Sequence, residues 1–220
     1  MLLLVIGGSA SGKSEYAEAR AVAAARQGKN AEIRTDAAGG QEEKTDLRVN
    51  TGKKYYIAAM KPFGEEAQKR IVRHRALRAG KGFETLERYT DLAGLCRERP
   101  DLAGQTVLVE CLSNLTANEM FEPEGAGTAG AEDAVVSGLQ ALADFAETLI
   151  VVTADVFGEG RIPEKRDVQA CSVSTASDGD SAEDMTMEYV RILGRINARL
   201  AQMADEVVEV VYSIPVKQKG

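Results

Sequence analysis

MLLLVIGGSASGKSEYAEARAVAAARQ, residues 1–27, decides the fold. Met1–Ile6 is an unbroken apolar run with β-branched members, the pattern of a strand buried on both faces of a parallel sheet. A loop follows at once: Gly7, Gly8, Ser9, Ala10, Ser11, Gly12, Lys13 and Ser14. Then comes a stretch rich in Ala, Glu and Arg, residues that favour helix. Strand, glycine loop and helix in that order is the setting in which GxxxxGKS cradles phosphate. Gly7, Gly8 and Gly12 let the backbone wrap closely, so its N–H groups point inward. The helix N-terminus adds partial positive charge at the same spot. Lys13 is placed to reach the β- and γ-phosphates, and the Ser14 hydroxyl to bind Mg²⁺. A bound nucleoside triphosphate is the expectation.

The totals set bounds on partners. A chain of 220 residues reads as one domain, 1–220. Its net charge of −7 argues against a broad nucleic-acid surface, so any basic site is local. Cys96, Cys111 and Cys171 are an odd, scattered set without C-x-x-C spacing, which supports neither a disulfide framework nor a zinc site. No apolar run approaches membrane-spanning length, and Met1–Ile6 is too short for a signal segment. A reducing cytoplasm fits, with no membrane partner.

Working outward, the first helix is expected over Lys13–Gln27, ended by Gly28. Residues 29–54 are polar, contain Gly-Gly, and read as an insertion. Tyr55–Ala59 reads as a short strand. Glu65–Arg78 has acids first and bases last, as a helix with a favourable dipole does. Phe83–Leu86 reads as a strand, Asp91–Arg97 as a helix, and Gln105–Cys111 as a buried strand closing on Glu110. LSNLTANEMF reads as helix, FEPEGAGTAGAED as a Gly-rich loop, Ala134–Phe145 as helix, and Thr148–Thr153 as a buried strand. A long irregular stretch precedes a helix over Met185–Ala204 and a last strand over Glu206–Tyr212. Strands separated by helical stretches imply an α/β fold: a three-layer P-loop NTPase type with an open, mostly parallel sheet and helices on both faces. Ligands then sit at the carboxyl ends of the strands.

His74 is the one histidine of the chain. A lone histidine is ordinarily structural or exposed. This one stands among Arg70, Arg73, Arg75 and Arg78, which repel one another unless an anion is present, so a phosphate-binding role follows for the cluster. Arg70, His74 and Arg78 share one helical face. Glu110 closes an apolar strand, where a carboxylate serves Mg²⁺ or its waters. Asp155 follows TLIVVT and stays open between a second acid and a structural residue. Cys111 reads as a small core residue.

These pieces resemble the bifunctional adenosylcobinamide kinase / adenosylcobinamide-phosphate guanylyltransferase family of cobalamin biosynthesis. The carriers are GGSASGKSEYAE, YIAA, RIVRHRALR followed by GFETLE, VLVECLSNLTAN, IVVTADV, GRIPE and the closing GRINARLAQMADEVVEVVYSIPVK, in order along nearly the whole chain. The resemblance implies two reactions. ATP or GTP phosphorylates the aminopropanol hydroxyl of adenosylcobinamide; GTP then guanylylates a histidine, releasing pyrophosphate, and the GMP passes to the cobinamide phosphate. By the R-I-x-x-H match that histidine is His74. Nucleotide-binding roles are implied for Gly7–Ser14, for Arg70, Arg75 and Arg78, for Glu87 at the end of GFETLE, and for Glu110, with Mg²⁺ on Ser14 and Glu110. A homotrimer is implied as well. The chain departs from the family at Ala154-Asp155-Val156-Phe157, where N-E-V-G is usual, and around Tyr189, where Met187 and Val190 occupy arginine positions. Extra polar residues lie near 171–183 and 29–54. The phosphate loop and His74 are intact. The departures leave one competing expectation, a P-loop kinase for another small-molecule alcohol without guanylyl transfer.

Overall fold

In a computed structural model, which describes residues 1–32, 52–155 and 179–220, the chain builds one seven-stranded sheet. In order the elements are β1 (Leu2–Gly7), α1 (Lys13–Glu32), β2 (Lys54–Ala58), α2 (Gly64–Arg78), β3 (Phe83–Glu87), α3 (Leu92–Glu98), β4 (Thr106–Glu110), α4 (Leu112–Phe121), α5 (Gly127–Phe145), β5 (Thr148–Ala154), α6 (Gly179–Met203), β6 (Glu206–Val211) and β7 (Ile214–Lys219). The strand order is β3-β2-β4-β5-β1-β6-β7. Every ladder is parallel except that of β6 with β7.

Alternation divides the core between the two faces of the sheet. Leu3, Val5, Tyr56, Leu108, Ile150, Val152, Val208 and Val210 turn to one side and meet Ala17 and Ala21 of α1. Alanines there let α1 lie close on the strands, bringing the phosphate loop to the sheet's end. Leu2, Leu4, Tyr55, Ile57, Val107, Val109, Leu149 and Val151 turn to the other side, where α3, α4, α5 and α6 supply Leu92, Leu95, Leu112, Leu115, Leu139, Leu142, Ile192, Leu193 and Ile196. Each fully buried leucine or isoleucine contributes about 1.5–3 kcal/mol. The expected three-layer, mostly parallel α/β arrangement is the one observed.

The chain leaves β1 toward β2 on one flank and returns from β5 to β6 on the other. The carboxyl end of β1 is therefore a switch point, where open α/β sheets bind ligands.

Four boundaries differ from expectation. α1 runs past Gly28 to Glu32, so one glycine did not end it. α5 starts at Gly127, within the stretch read as a loop. The Ala126 N–H just before α5 is met by the Glu119 carboxylate of α4 at 3.0 Å, a tertiary cap without a local signature. α6 starts at Gly179, before Met185. Glu206–Val211 is not the last strand, because β7 folds back on it. With Pro215 and two lysines, β7 has the composition that protects a sheet edge, which also hides it from pattern reading. Most of the expected insertions at 29–54 and 171–183, and the Val156–Phe157 and Pro163-Glu164 positions, lie outside the described residues.

Candidate active site

The phosphate loop is shaped by backbone conformations only small residues accept. Gly12 has φ +90° and Ala10 φ +57°. At Gly7 a Cβ would fall 2.5 Å from Ser11 Oγ and 2.7 Å from the Val210 carbonyl, so no side chain fits. Lys13 Nζ donates to the Gly8 carbonyl at 2.8 Å and so lies across the loop it serves. Ser14, in the first turn of α1, donates through Oγ to Glu110 Oε1.

Glu110 is the junction of the site. It closes β4, is 7% exposed, and accepts the Tyr56 hydroxyl on Oε2 at 2.9 Å. Tyr56 is buried on β2, and burial first, then the Glu110 charge, pushes its phenol far above the usual range, so it stays a donor. The Arg78 guanidinium lies 3.5 Å over the Tyr56 ring and is itself 8% exposed. One turn earlier on α2, His74 directs Nδ1 toward Glu110 Oε1 at 3.6 Å. That nitrogen is buried and has no hydrogen-bond partner.

The structure thus brings together Lys13, Ser14, Glu110, His74 and Arg78. Arg75 stands outside this group, pairing through Nη2 with Glu87 Oε1 at 3.1 Å, both side chains exposed. Tyr89 donates to the other Glu87 oxygen at 3.1 Å. Arg70, midway along α2, and Arg73 are both exposed. Between the end of α2 and β3 lies a cavity of about 410 Å³ lined by Arg75, Arg78, Gly80, Gly82, Phe83 and Thr85, basic and open enough for an anionic ligand. Asp155 follows β5, and its N–H donates to the Gly7 carbonyl at 3.3 Å. Burial pushes the Cys111 thiol up, which keeps it protonated and unsuited to attack.

Sequence reading missed several residues that hold this arrangement. Tyr56 reads from the sequence only as strand; adjacent tyrosines on a strand face opposite sides, and it is Tyr56 that meets Arg78 of α2. Asn118 Nδ2 donates to the carbonyls of Ala59 at 2.8 Å and Tyr89 at 3.1 Å, tying the ends of β2 and β3 together. Glu119 accepts the Asp91 N–H at 2.7 Å. Buried Glu18 on α1 is ion-paired with Lys81 in the turn after α2. Ser213 donates its N–H to the Ser11 carbonyl at 2.7 Å, so the β6–β7 turn supports the phosphate loop.

The convergence of a hydroxyl and a carboxylate suits a hard cation with oxygen ligands. Among the described residues no cluster of three or more His, Cys, Asp or Glu could hold a metal alone. Ser14 Oγ and the Glu110 carboxylate are the side-chain oxygens beside the loop that could hold such a cation. No helix among the described residues is long and apolar enough to cross a membrane.

A family model described as cobinamide kinase / cobinamide phosphate guanyltransferase matches residues 40–171. The bifunctional adenosylcobalamin biosynthesis protein CobU of Escherichia coli (strain K12) is 27% identical over 229 residues, covering 100% of both chains. The protein of the same name from Salmonella typhimurium (strain LT2) is 28% identical over 230 residues, again covering 100% of both.

Proposed function

The chain belongs to the cobinamide kinase / cobinamide phosphate guanyltransferase family, and from that premise we propose how its residues divide the two reactions. Its activities are those of the family: phosphoryl transfer to cobinamide, and guanylyl transfer to cobinamide phosphate. The observation that carries the assignment of roles is the meeting of Ser14 and His74 on one carboxylate, Glu110.

In the kinase step the backbone of Gly7–Ser14 wraps the phosphates of ATP or GTP. Lys13 leaves the Gly8 carbonyl for the β- and γ-phosphates, where it stabilises charge developing on the transferred group. Ser14 and Glu110 would hold Mg²⁺, which would supply neutralisation of phosphate charge. The cobinamide hydroxyl attacks the γ-phosphorus and gives up its proton to solvent, the bond to the β-phosphate oxygen breaks, and the nucleoside diphosphate departs.

In the second step an imidazole nitrogen of His74 attacks the α-phosphorus of GTP. A P–N bond forms and pyrophosphate leaves. The phosphate oxygen of cobinamide phosphate then attacks the same phosphorus, the P–N bond breaks, and the histidine is regenerated. Splitting one displacement into two is the gain of a covalent route. With Nδ1 turned to Glu110, Nε2 is the attacking nitrogen. Arg78, fixed on Tyr56, and Arg75 would neutralise the phosphates, and Glu87 and Arg70 complete the nucleotide-binding set at the rim. A homotrimer working in the cytoplasm without nucleic acid fits this reading, on the resemblance already described.

The test is conversion of cobinamide in the presence of GTP and Mg²⁺, followed by mass spectrometry. Cobinamide phosphate should appear first and its GDP derivative after it. Accumulation of the phosphate with no GDP derivative would overturn the guanylyl-transfer half.

A further inference from the structure

The β6–β7 hairpin closes on two residues, Tyr212 and Ser213, with Val211 paired to Ile214. Both take left-handed conformations, φ +50° and +63°. Such a turn prefers Asn-Gly or Gly-Gly, since side chains with Cβ are strained there. A tyrosine is a costly choice at this place, and its ring gains nothing from packing, being 91% exposed. Strain retained at a defined position is a reason to look for a function.

The position of the turn suggests which. Ser213 donates its N–H to the Ser11 carbonyl of the phosphate loop at 2.7 Å, and a Cβ on Gly12 would fall 2.6 Å from Ser213 Oγ. The tip therefore rests on the loop itself. Glu110, Tyr56 and His74 lie on the β4–β2 flank of β1, whereas β6 and β7 lie on the other. The reacting end of a triphosphate faces Lys13, Ser14 and Glu110, so its nucleoside end leaves toward β6 and β7.

We propose that Tyr212 is the stacking platform for the base of the nucleoside triphosphate that donates the phosphoryl group. The inference rests on the reading of Gly7–Ser14 as the donor's phosphate site. A phenol ring offers the base a flat apolar face, tolerant of purine identity because every base presents a π-face. The hairpin fixes the ring's distance from the loop through the bond to Ser11.

Tyr212→Asn separates stacking from folding, because asparagine suits the left-handed turn better than tyrosine. Calorimetric titration of wild type, Tyr212→Asn and Tyr212→Trp uses three probes with Mg²⁺: β,γ-imido-ATP, β,γ-imido-GTP and inorganic tripolyphosphate. The asparagine variant should bind the imido nucleotide about tenfold more weakly, keep tripolyphosphate affinity, and keep or raise Tm. The tryptophan variant should restore binding. Equal loss for nucleotide and tripolyphosphate would mean a damaged loop and would overturn the proposal. So would unchanged nucleotide affinity, or a changed oligomeric mass by light scattering, which would make the ring part of an interface. A wild type that binds none of the three probes would bring down the phosphate-site reading itself, a result distinct from the others.

Discussion

His74 Nδ1 stands 3.6 Å from Glu110 Oε1, buried and without a hydrogen-bond partner. The carboxylate that faces the histidine also accepts the Ser14 hydroxyl of the phosphate loop. Side chains from α1 and α2 thus meet on one buried acid at the end of β4.

His74→Ala should abolish the guanylyl adduct and stop the reaction at cobinamide phosphate, leaving phosphoryl transfer within about threefold of wild type. Incubation with α-labelled GTP gives the readout. Wild type should carry acid-labile, base-stable label on Nε2, as fixed by comparison with synthetic phosphohistidine isomers. Undiminished label on the alanine variant would exclude His74 as the nucleophile.

Lys13→Ala should show the opposite pattern at first turnover. Phosphorylation of cobinamide should fall about 10²–10³-fold, the effect of removing one positioned charge stabiliser. Supplying cobinamide phosphate directly bypasses that step, so the remaining deficit measures how far the loop also serves guanylyl transfer.

Tyr56 holds Glu110 through its hydroxyl, and its ring carries the Arg78 guanidinium. Tyr56→Phe removes the donor to Glu110 Oε2 and should cost about 1 kcal/mol of stability, measured by urea denaturation. Arg78→Lys keeps the charge but loses the planar stack at 3.5 Å on the ring. It should raise the KM for GTP in guanylylation more than it changes kcat, because a point charge does not reproduce a stacked guanidinium.

What could be read from residues alone follows a physical division. β1, β4 and β5 are central strands of a parallel sheet, buried on both faces, so their apolar runs are continuous and visible. GxxxxGKS and R-I-x-x-H-R-x-x-R are local patterns, and they gave Lys13, Ser14, His74 and Arg78. The roles of Tyr56, Asn118 and Glu119 depend on what lies opposite them after folding. Asn118 donates to two carbonyls 59 and 29 residues away in the chain, and no local pattern encodes that. The start of α5 escaped for the same reason, its preceding N–H being met by Glu119.

Acid sensitivity should be visible at the α1–β6 contact. Arg20 donates to both Glu206 oxygens, at 2.9 and 2.6 Å, and this holds the Glu206 carboxyl below its ordinary value of 4.5. A depressed acid stabilises the fold above its unfolded pKa and loses that contribution as pH falls through its folded pKa. Thermal melts should therefore show Tm falling from pH 5 downward. Glu206→Gln should cost about 1 kcal/mol at pH 7 and show a smaller fall. Parallel Tm curves for the two proteins would exclude the pair as a contributor.

Glu18 and Lys81 give the sharpest stability test, because their environments are unequal. The carboxylate is fully buried, and one of its oxygens, Oε1, has no hydrogen-bond partner. The lysine side chain is 34% exposed. Removing the lysine strands a buried charge, whereas removing the carboxylate leaves a cation that water can reach. Lys81→Met should therefore cost about 3 kcal/mol or more, and Glu18→Leu distinctly less. The double variant Glu18→Leu with Lys81→Met should recover most of the loss, since two well-packed apolar side chains replace a pair whose desolvation offsets its attraction. The pair joins α1 to the turn that ends α2, so the single lysine variant should also slow His74 guanylylation, and the double variant should restore it only if α2 returns to its place beside Glu110. Urea denaturation of the four proteins gives the coupling energy, and α-labelled GTP gives the guanylylation rate. Additive stability losses would show that the two residues do not act as a pair.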